Sequence, residues 1–165
     1  MEKLSKGFKR IILCGHGASG KDHLRKRLEH RGFEYALSYT TRPPRENETS
    51  GQDYRFVSED QAQAMIKNGE FYEWVRFNDW IYGTTQEQFY SKTLFIMTPR
   101  GLEHLLPEDR AESLIIFIDI PEEIRIGRLA NRAMPGDTLE RRVQADRLDF
   151  ANFTNYDIRI SNADF

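Results

Sequence analysis

The chain has 165 residues, 39% of them hydrophobic and 12% aromatic, which suits one globular domain with a single core and excludes an intrinsically disordered chain. A formal net charge of −2 gives no overall pull toward nucleic acid or an anionic membrane, and no apolar run approaches the roughly 20 residues that span a bilayer. One cysteine cannot form an internal disulfide, and MEKLSKGFKR lacks the apolar stretch of a signal peptide, so a cytoplasmic protein is expected.

In chain order, the apolar run RIILCG (10–15) predicts a buried strand, with Cys14 as a small core residue. GKDHLRKRLEHRG (20–32) predicts a helix, with Leu24 and Leu28 one turn apart and Gly32 as its stop. The junction, Gly15-His16-Gly17-Ala18-Ser19-Gly20-Lys21, is a Gly-x-x-x-x-Gly-Lys pattern in the strand–turn–helix setting that a phosphate loop requires. Such a loop aims backbone N–H groups and the positive end of a helix dipole at one spot, so Gly15, Gly17, Ala18, Ser19, Gly20 and Lys21 are expected to hold the phosphates of ATP. His16, inside the loop, reads equally as a phosphate contact or a solvent-facing residue.

The next position departs from the pattern. It holds Asp22, where such loops carry a Ser or Thr hydroxyl that binds Mg²⁺. A carboxylate is an ordinary Mg²⁺ ligand, so Asp22 and the ATP-binding loop together predict a metal there; plain capping of helix N–H groups is the other reading of Asp22.

Further on, residues 38–58 are polar with paired prolines, which predicts strands and loops of a small excursion. Ser58–Gln61 is a capping box opening a helix, and the aromatic-dense residues 70–85 predict two short strands joined near Asn78 and Asp79. TTQEQ can start a short helix. TLFIMT and SLIIFIDI are continuous apolar strands of the kind covered on both faces in a parallel sheet. Pro121 stands early in another helix, Asp137–Glu140 has capping-box form ahead of the last one, and DIRISN predicts a final strand. This alternation predicts an α/β fold with a parallel sheet.

TTRPPR (40–45) with Tyr54 supplies a fork of guanidiniums and a phenol hydroxyl, which suits a monophosphate dianion. Glu73 lies among aromatics that could wall a base. The whole segment resembles the signature of the guanylate kinase family, Ser-x-Thr-Thr-Arg-x-x-Arg followed by Gly-x-Asp-Tyr-x-Phe-x-Ser. It stands here as Ser38, Thr40, Thr41, Arg42, Arg45, Gly51, Asp53, Tyr54, Phe56 and Ser58, and the likeness continues through EFYEW, YGTT, RLANR and NYDIRISNADF.

The resemblance implies one domain over residues 1–165: a P-loop parallel sheet core flanked by helices (1–37, 88–130 and 143–165), a small NMP-binding insert (38–87) and a short lid (131–142). It implies transfer of the ATP γ-phosphoryl to GMP or dGMP with Mg²⁺. By position, Arg42, Arg45, Tyr54 and Tyr82 match residues that hold the acceptor phosphate, and Ser38, Glu73 and Thr84 match readers of the guanine edge. Arg132 in the lid and Arg142 beyond it match arginines that close on the phosphates, and Asn162 matches a segment near the ATP base. Lys21, Arg42, Arg132 and Arg142 then form the catalytic set, as phosphoryl transfer needs positioning and charge neutralisation more than a covalent nucleophile. The implied partners are small-molecule nucleotides, with no nucleic acid and no membrane, for a monomer or homodimer.

Two departures mark a compact, divergent member. Where the family strand ends Asp-x-Asp, Ile96 and Thr98 stand here, so Asp22 is expected to take the metal duty vacated at Ile96, and Thr98 to relax or shift base specificity. A kinase of ribose 1,5-bisphosphate in the same superfamily shares the GKD loop and lacks the acidic pair, which keeps other phosphate acceptors, a modified dNMP included, as an alternative. Guanylate-kinase-like modules that bind phosphopeptides generally lack a working loop, whereas Gly15, Gly20 and Lys21 are retained here. The insert favours a nucleotide acceptor.

Overall fold

The computed structural model describes residues 7–132 and 136–165. Strand β1 (Arg10–Gly15) is buried along its whole length because it lies at the centre of a four-stranded parallel sheet. It pairs with β6 (Leu94–Ile96) on one side and β7 (Ser113–Ile118) on the other, and β7 in turn carries the edge strand β8 (Ile158–Ile160). Alternate side chains of β1 feed two cores. Ile12 and Cys14 pack with Phe89, Phe95 and Ile115, while Ile11 and Leu13 meet Leu24 and Leu28 of helix α1 (Lys21–Glu29). Burial on both faces is why this strand reads as an unbroken apolar run, and each fully buried Ile or Leu stabilises by about 1.5–3 kcal/mol.

A second sheet is built from strands within residues 39–85, in the order β3 (Arg55–Phe56), β2 (Tyr39–Thr40), β5 (Trp80–Thr85), β4 (Phe71–Phe77). Asn78 and Asp79 join β4 to β5 with φ of 52° and 63°, the two left-handed residues of a tight hairpin turn. Along β4 the inward positions are Phe71, Glu73 and Val75, so strand alternation carries one carboxylate into the interior beside two apolar neighbours. Helix α2 (Glu59–Lys67) opens with the reciprocal Ser58–Gln61 capping box, and α3 (Gln86–Ser91) is capped by Thr85.

Two short helices have no counterpart in the expectations: α4 (Pro99–Leu102) and α5 (Pro107–Ala111), each with proline at its first turn. Thr98-Pro99 was a legible start signal, since Thr98 Oγ accepts the Gly101 N–H. The capping box expected over Asp137–Glu140 does not form. Thr138 is the N-cap of α7 (Leu139–Phe150), accepting the Arg141 N–H, and Asp137 instead pairs with the Arg141 guanidinium at 3.2 Å. The register slips by one because Thr138, not Asp137, is the extended residue from which the helix starts. Helix α6 (Glu122–Ala130) precedes it, with Pro121 as the flanking residue rather than a helical one. Of the expected lid, residues 133–135 lie outside the described residues. Among the described residues, no helix is long and apolar enough to cross a membrane.

Candidate active site

The site begins where β1 ends. Gly15 must be glycine for space: a Cβ there would come 2.6 Å from the Ile118 carbonyl oxygen of the neighbouring strand. Gly20 must be glycine for conformation, with φ of 101° at the N-cap of α1. Ala18 also adopts a left-handed φ of 59°, a strained value for an L side chain. Lys21 curls over the loop, its Nζ donating to the carbonyls of Gly15 at 2.5 Å and His16 at 2.7 Å. Burial pushes its pKa down to about 8, with Asp146 pulling the other way.

The His16 side chain is not solvent-facing. Its ring is buried 4.1 Å from that of Phe150 and 5.8 Å from that of Phe117, with Nδ1 3.9 Å from Asp119. Burial, and then the positive charge of Arg125, lower its pKa to about 4, so it is a neutral core group behind the loop. Asp22 is exposed in the first turn of α1, and its Oδ1 accepts from Arg25 Nε at 3.0 Å. Oδ2 carries no hydrogen bond among the described residues, and Asp22 lines the cavity beside the loop.

Opposite the loop, Arg42 is buried and anchored on three sides. Nη2 donates to Glu48 at 2.8 Å, Nη1 donates to the Pro43 carbonyl at 2.9 Å, and the guanidinium lies 5.4 Å over the Tyr54 ring. Glu48 also accepts the Arg45 N–H at 2.8 Å. Its burial would raise its pKa, but the bonds from Arg42 and Arg45 outweigh that and hold it below the usual carboxylate range. The rings of Tyr54 and Tyr82 stand 6.2 Å apart, and burial raises the pKa of both phenols. The Arg45 guanidinium is held below its ordinary range by burial, then by the charges of Arg42, Arg142 and Arg132. Arg45 therefore sits in the positive field of three other guanidiniums, a field that an anion would relieve.

Glu73 lies a short way along β4, paired in register with Thr84, which hydrogen-bonds it through side chain and backbone. Burial among apolar neighbours lifts its pKa from 4.5 to about 7 in spite of those bonds. Thr98 commits its hydroxyl to capping α4, and a Cβ on Gly101 would come 2.9 Å from Glu73 Oε2 and 3.5 Å from Thr98 Oγ1, so these two groups share one corner.

One cavity of about 270 Å³ joins these parts. Of the expected site residues it is lined by Gly15, Gly17, Ala18, Ser19, Gly20, Lys21 and Asp22 on the loop side. Across from them stand Ser38, Arg42, Arg45, Tyr54, Glu73, Tyr82 and Thr98, with Arg132 and Arg142 also in the wall. Thr84 stands behind Glu73 rather than in the wall. Asn162 is also outside it, exposed, and accepts the Asp164 N–H. Glu48 and Asp146 were missed by sequence reasoning. Their signals were weak ones: an acid three residues after Arg45, and an acid four residues after Arg142 on one helix face.

The family model described as Guanylate kinase matches residues 7–165 of the chain. A guanylate kinase of Nostoc sp. is 34% identical over 171 residues, covering 95% of this chain and 83% of that protein. A guanylate kinase of Onion yellows phytoplasma is 34% identical over 130 residues, covering 73% of this chain and 61% of its own length, so the chain spans about three-fifths of that relative. The crystal structure of guanylate kinase from Anaplasma phagocytophilum superposes with a TM-score of 0.72 at 22% identity, covering 94% of this chain and 77% of that one. This last likeness concerns the fold.

Proposed function

Because the chain belongs to the guanylate kinase family, we propose that it transfers the γ-phosphoryl of ATP to GMP or dGMP. The observation that carries this reading is the single cavity whose walls hold both a phosphate loop and an arginine–tyrosine clasp. Two phosphate sites facing each other across a small volume are what an in-line displacement between two phosphates needs.

In this reading the loop N–H groups and Lys21 hold the donor triphosphate. Arg42, Arg45, Tyr54 and Tyr82 orient the acceptor phosphate, and Ser38 and Glu73 address its base, with Thr84 holding Glu73 from behind. Arg132 and Arg142 spread positive charge over the transferring group and help exclude water as the two sheets approach. Asp22, which lines the cavity with Oδ1 on Arg25 and Oδ2 without a hydrogen bond among the described residues, would hold Mg²⁺. Such an ion neutralises charge on the phosphoryl oxygens, and a hard carboxylate oxygen beside a phosphate site fits it. The division into core (1–37, 88–130 and 143–165), insert (38–87) and lid (131–142) belongs to the same proposal.

A coupled ADP-release assay with Mg·ATP tests it across all (d)NMPs and ribose 1,5-bisphosphate. Turnover with GMP or dGMP is expected, and turnover with only the sugar phosphate would replace the nucleotide reading by the one the GKD loop favours. Replacing Asp22 with Ser should lower kcat about tenfold or more while leaving the acceptor KM nearly unchanged. An Asp22→Ser enzyme as fast as the parent would remove the carboxylate from the metal's coordination.

Glu73 gives the site a pH dependence of known sign. Only the carboxylate accepts two N–H donors, so acceptor KM should fall as pH rises from 6 to 8 through the pKa of about 7. Glu73→Gln should flatten that profile. The same group affects stability with the opposite trend. Its folded pKa is raised from 4.5, so its contribution is fully present below 4.5 and is lost as pH rises through about 7. At pH 8 the Gln variant should therefore be the more stable by up to roughly 3 kcal/mol in urea unfolding.

A further inference from the structure

We infer that Asp146 is a positioning residue: it latches helix α7 onto the phosphate loop and so sets Arg142 over the transferring group. This rests on the reading above that Arg142 closes on the phosphates. Asp146 and Gly17 are 129 residues apart, yet the buried carboxylate accepts the Gly17 N–H at 2.7 Å. A buried carboxylate is costly unless paired and hydrogen-bonded. Its charge partner is Arg125, also buried, whose Nη1 lies 3.8 Å from Oδ2 and is itself held through Nε to the Ile120 carbonyl at 3.3 Å. Helix α6 therefore braces the latch from behind.

Arg142 stands one helical turn before Asp146, on the same face of α7. Its guanidinium lies 4.9 Å from the Phe77 ring and lines the cavity, and its Nε is buried without a hydrogen-bond partner. Gly17 is the point at which loop and helix meet. A Cβ on Gly17 would come 3.0 Å from Asp146 Oδ2 and 3.2 Å from Arg142 Nε. Gly17 does not adopt a positive φ, so this approach, rather than backbone conformation, disfavours a larger residue there: a Cβ would require Asp146 and Arg142 to give way by a few tenths of an ångström. The distance between the loop and the arginine is thereby held by one hydrogen bond and one missing methyl group. The unmet Nε donor stands beside the loop at Gly17, where a phosphoryl oxygen would accept it.

The test compares Asp146→Ala, Asp146→Asn and Arg142→Ala, alone and combined, in steady-state assays with Mg·ATP and GMP. Asn keeps an acceptor for the Gly17 N–H, whereas Ala removes it. Asp146→Ala should lower kcat by about 10²-fold, the scale of an ångström-level misplacement, with both KM values within about threefold of the parent. Asp146→Asn should recover most of that loss, and adding Arg142→Ala to Asp146→Ala should cost little more, since both changes remove the same placed group. An Asp146→Ala enzyme with parental kcat, an Asn variant as slow as Ala, or additive losses in the double variant would each overturn the latch. Gly17→Ala approaches the same contact from the other side and should reproduce the kcat loss even if Asp146→Ala does not fold. Amide hydrogen exchange at Gly17 reads the latch without any turnover. Its protection should drop in Asp146→Ala and persist in Asp146→Asn, and unchanged protection in Ala would sink the inference. If no acceptor is phosphorylated by the parent, the kinase reading fails while this exchange measurement still decides the latch.

Discussion

Replacing Lys21 with Met should abolish turnover and leave the fold standing. The ammonium is drawn inside the phosphate loop, donating to the Gly15 and His16 carbonyls, and burial already disfavours its charge, with a pKa of about 8. It contributes little to folding for that reason, because the cost of desolvating it offsets the bonds it makes. With a triphosphate in the loop the balance reverses, since the cation meets an anion in a water-poor site where charge pairs are strongest. The expected loss in kcat/KM for ATP is about 10³-fold or more, or roughly 4 kcal/mol of transition-state stabilisation. Circular dichroism should be unchanged, with a melting midpoint close to that of the parent. A Met variant retaining about a tenth of parental turnover would show that the loop does not use this lysine on the donor phosphates.

Arg42→Met should cost nearly as much, for a reason visible only in the clasp. Arg42 neutralises Glu48 at 2.8 Å, and in the proposed reading it would also offer a fork to the acceptor phosphate. Removing it leaves a half-buried carboxylate in the cavity wall where the proposed acceptor dianion would sit. We expect kcat/KM for the acceptor to fall by about 10²- to 10³-fold, with the KM for ATP scarcely changed. Adding Glu48→Gln to Arg42→Met should restore roughly tenfold, because it removes the repulsion but not the missing fork. Breaking this partly buried pair also destabilises, by about 1–3 kcal/mol, so each variant needs a melting curve beside its kinetics. Arg42→Lys keeps the charge and the pairing while losing the fork, and should fall between parent and Met. If Arg42→Met shifted the acceptor KM less than threefold and left kcat untouched, the clasp would not be the acceptor site.

Much of this was legible along the chain. RIILCG, TLFIMT and SLIIFIDI read as strands because their burial on both faces needs apolar residues at consecutive positions. The hairpin joint at Asn78 and Asp79 and the Ser58 capping box were legible because each is decided within a few residues by backbone geometry. The cap of α7 was misread by one residue, since Asp137 and Thr138 are both competent caps and only the packed chain selects the extended one. His16 was undecided for a related reason: its partners, Phe117, Asp119 and Phe150, lie over a hundred residues away.

Residue types at short, fixed spacing already carry the α/β class, the phosphate loop, the family and the grouping of Arg42, Arg45 and Tyr54. Tertiary structure alone decided that loop and clasp share one cavity, that Glu48 counters Arg42, that Glu73 titrates near neutrality and that Asp146 ties α7 to Gly17. The physical reason is that desolvation and charge pairing are set by which atoms displace water around a group. Those atoms come from segments distant in the chain, so no local pattern records them.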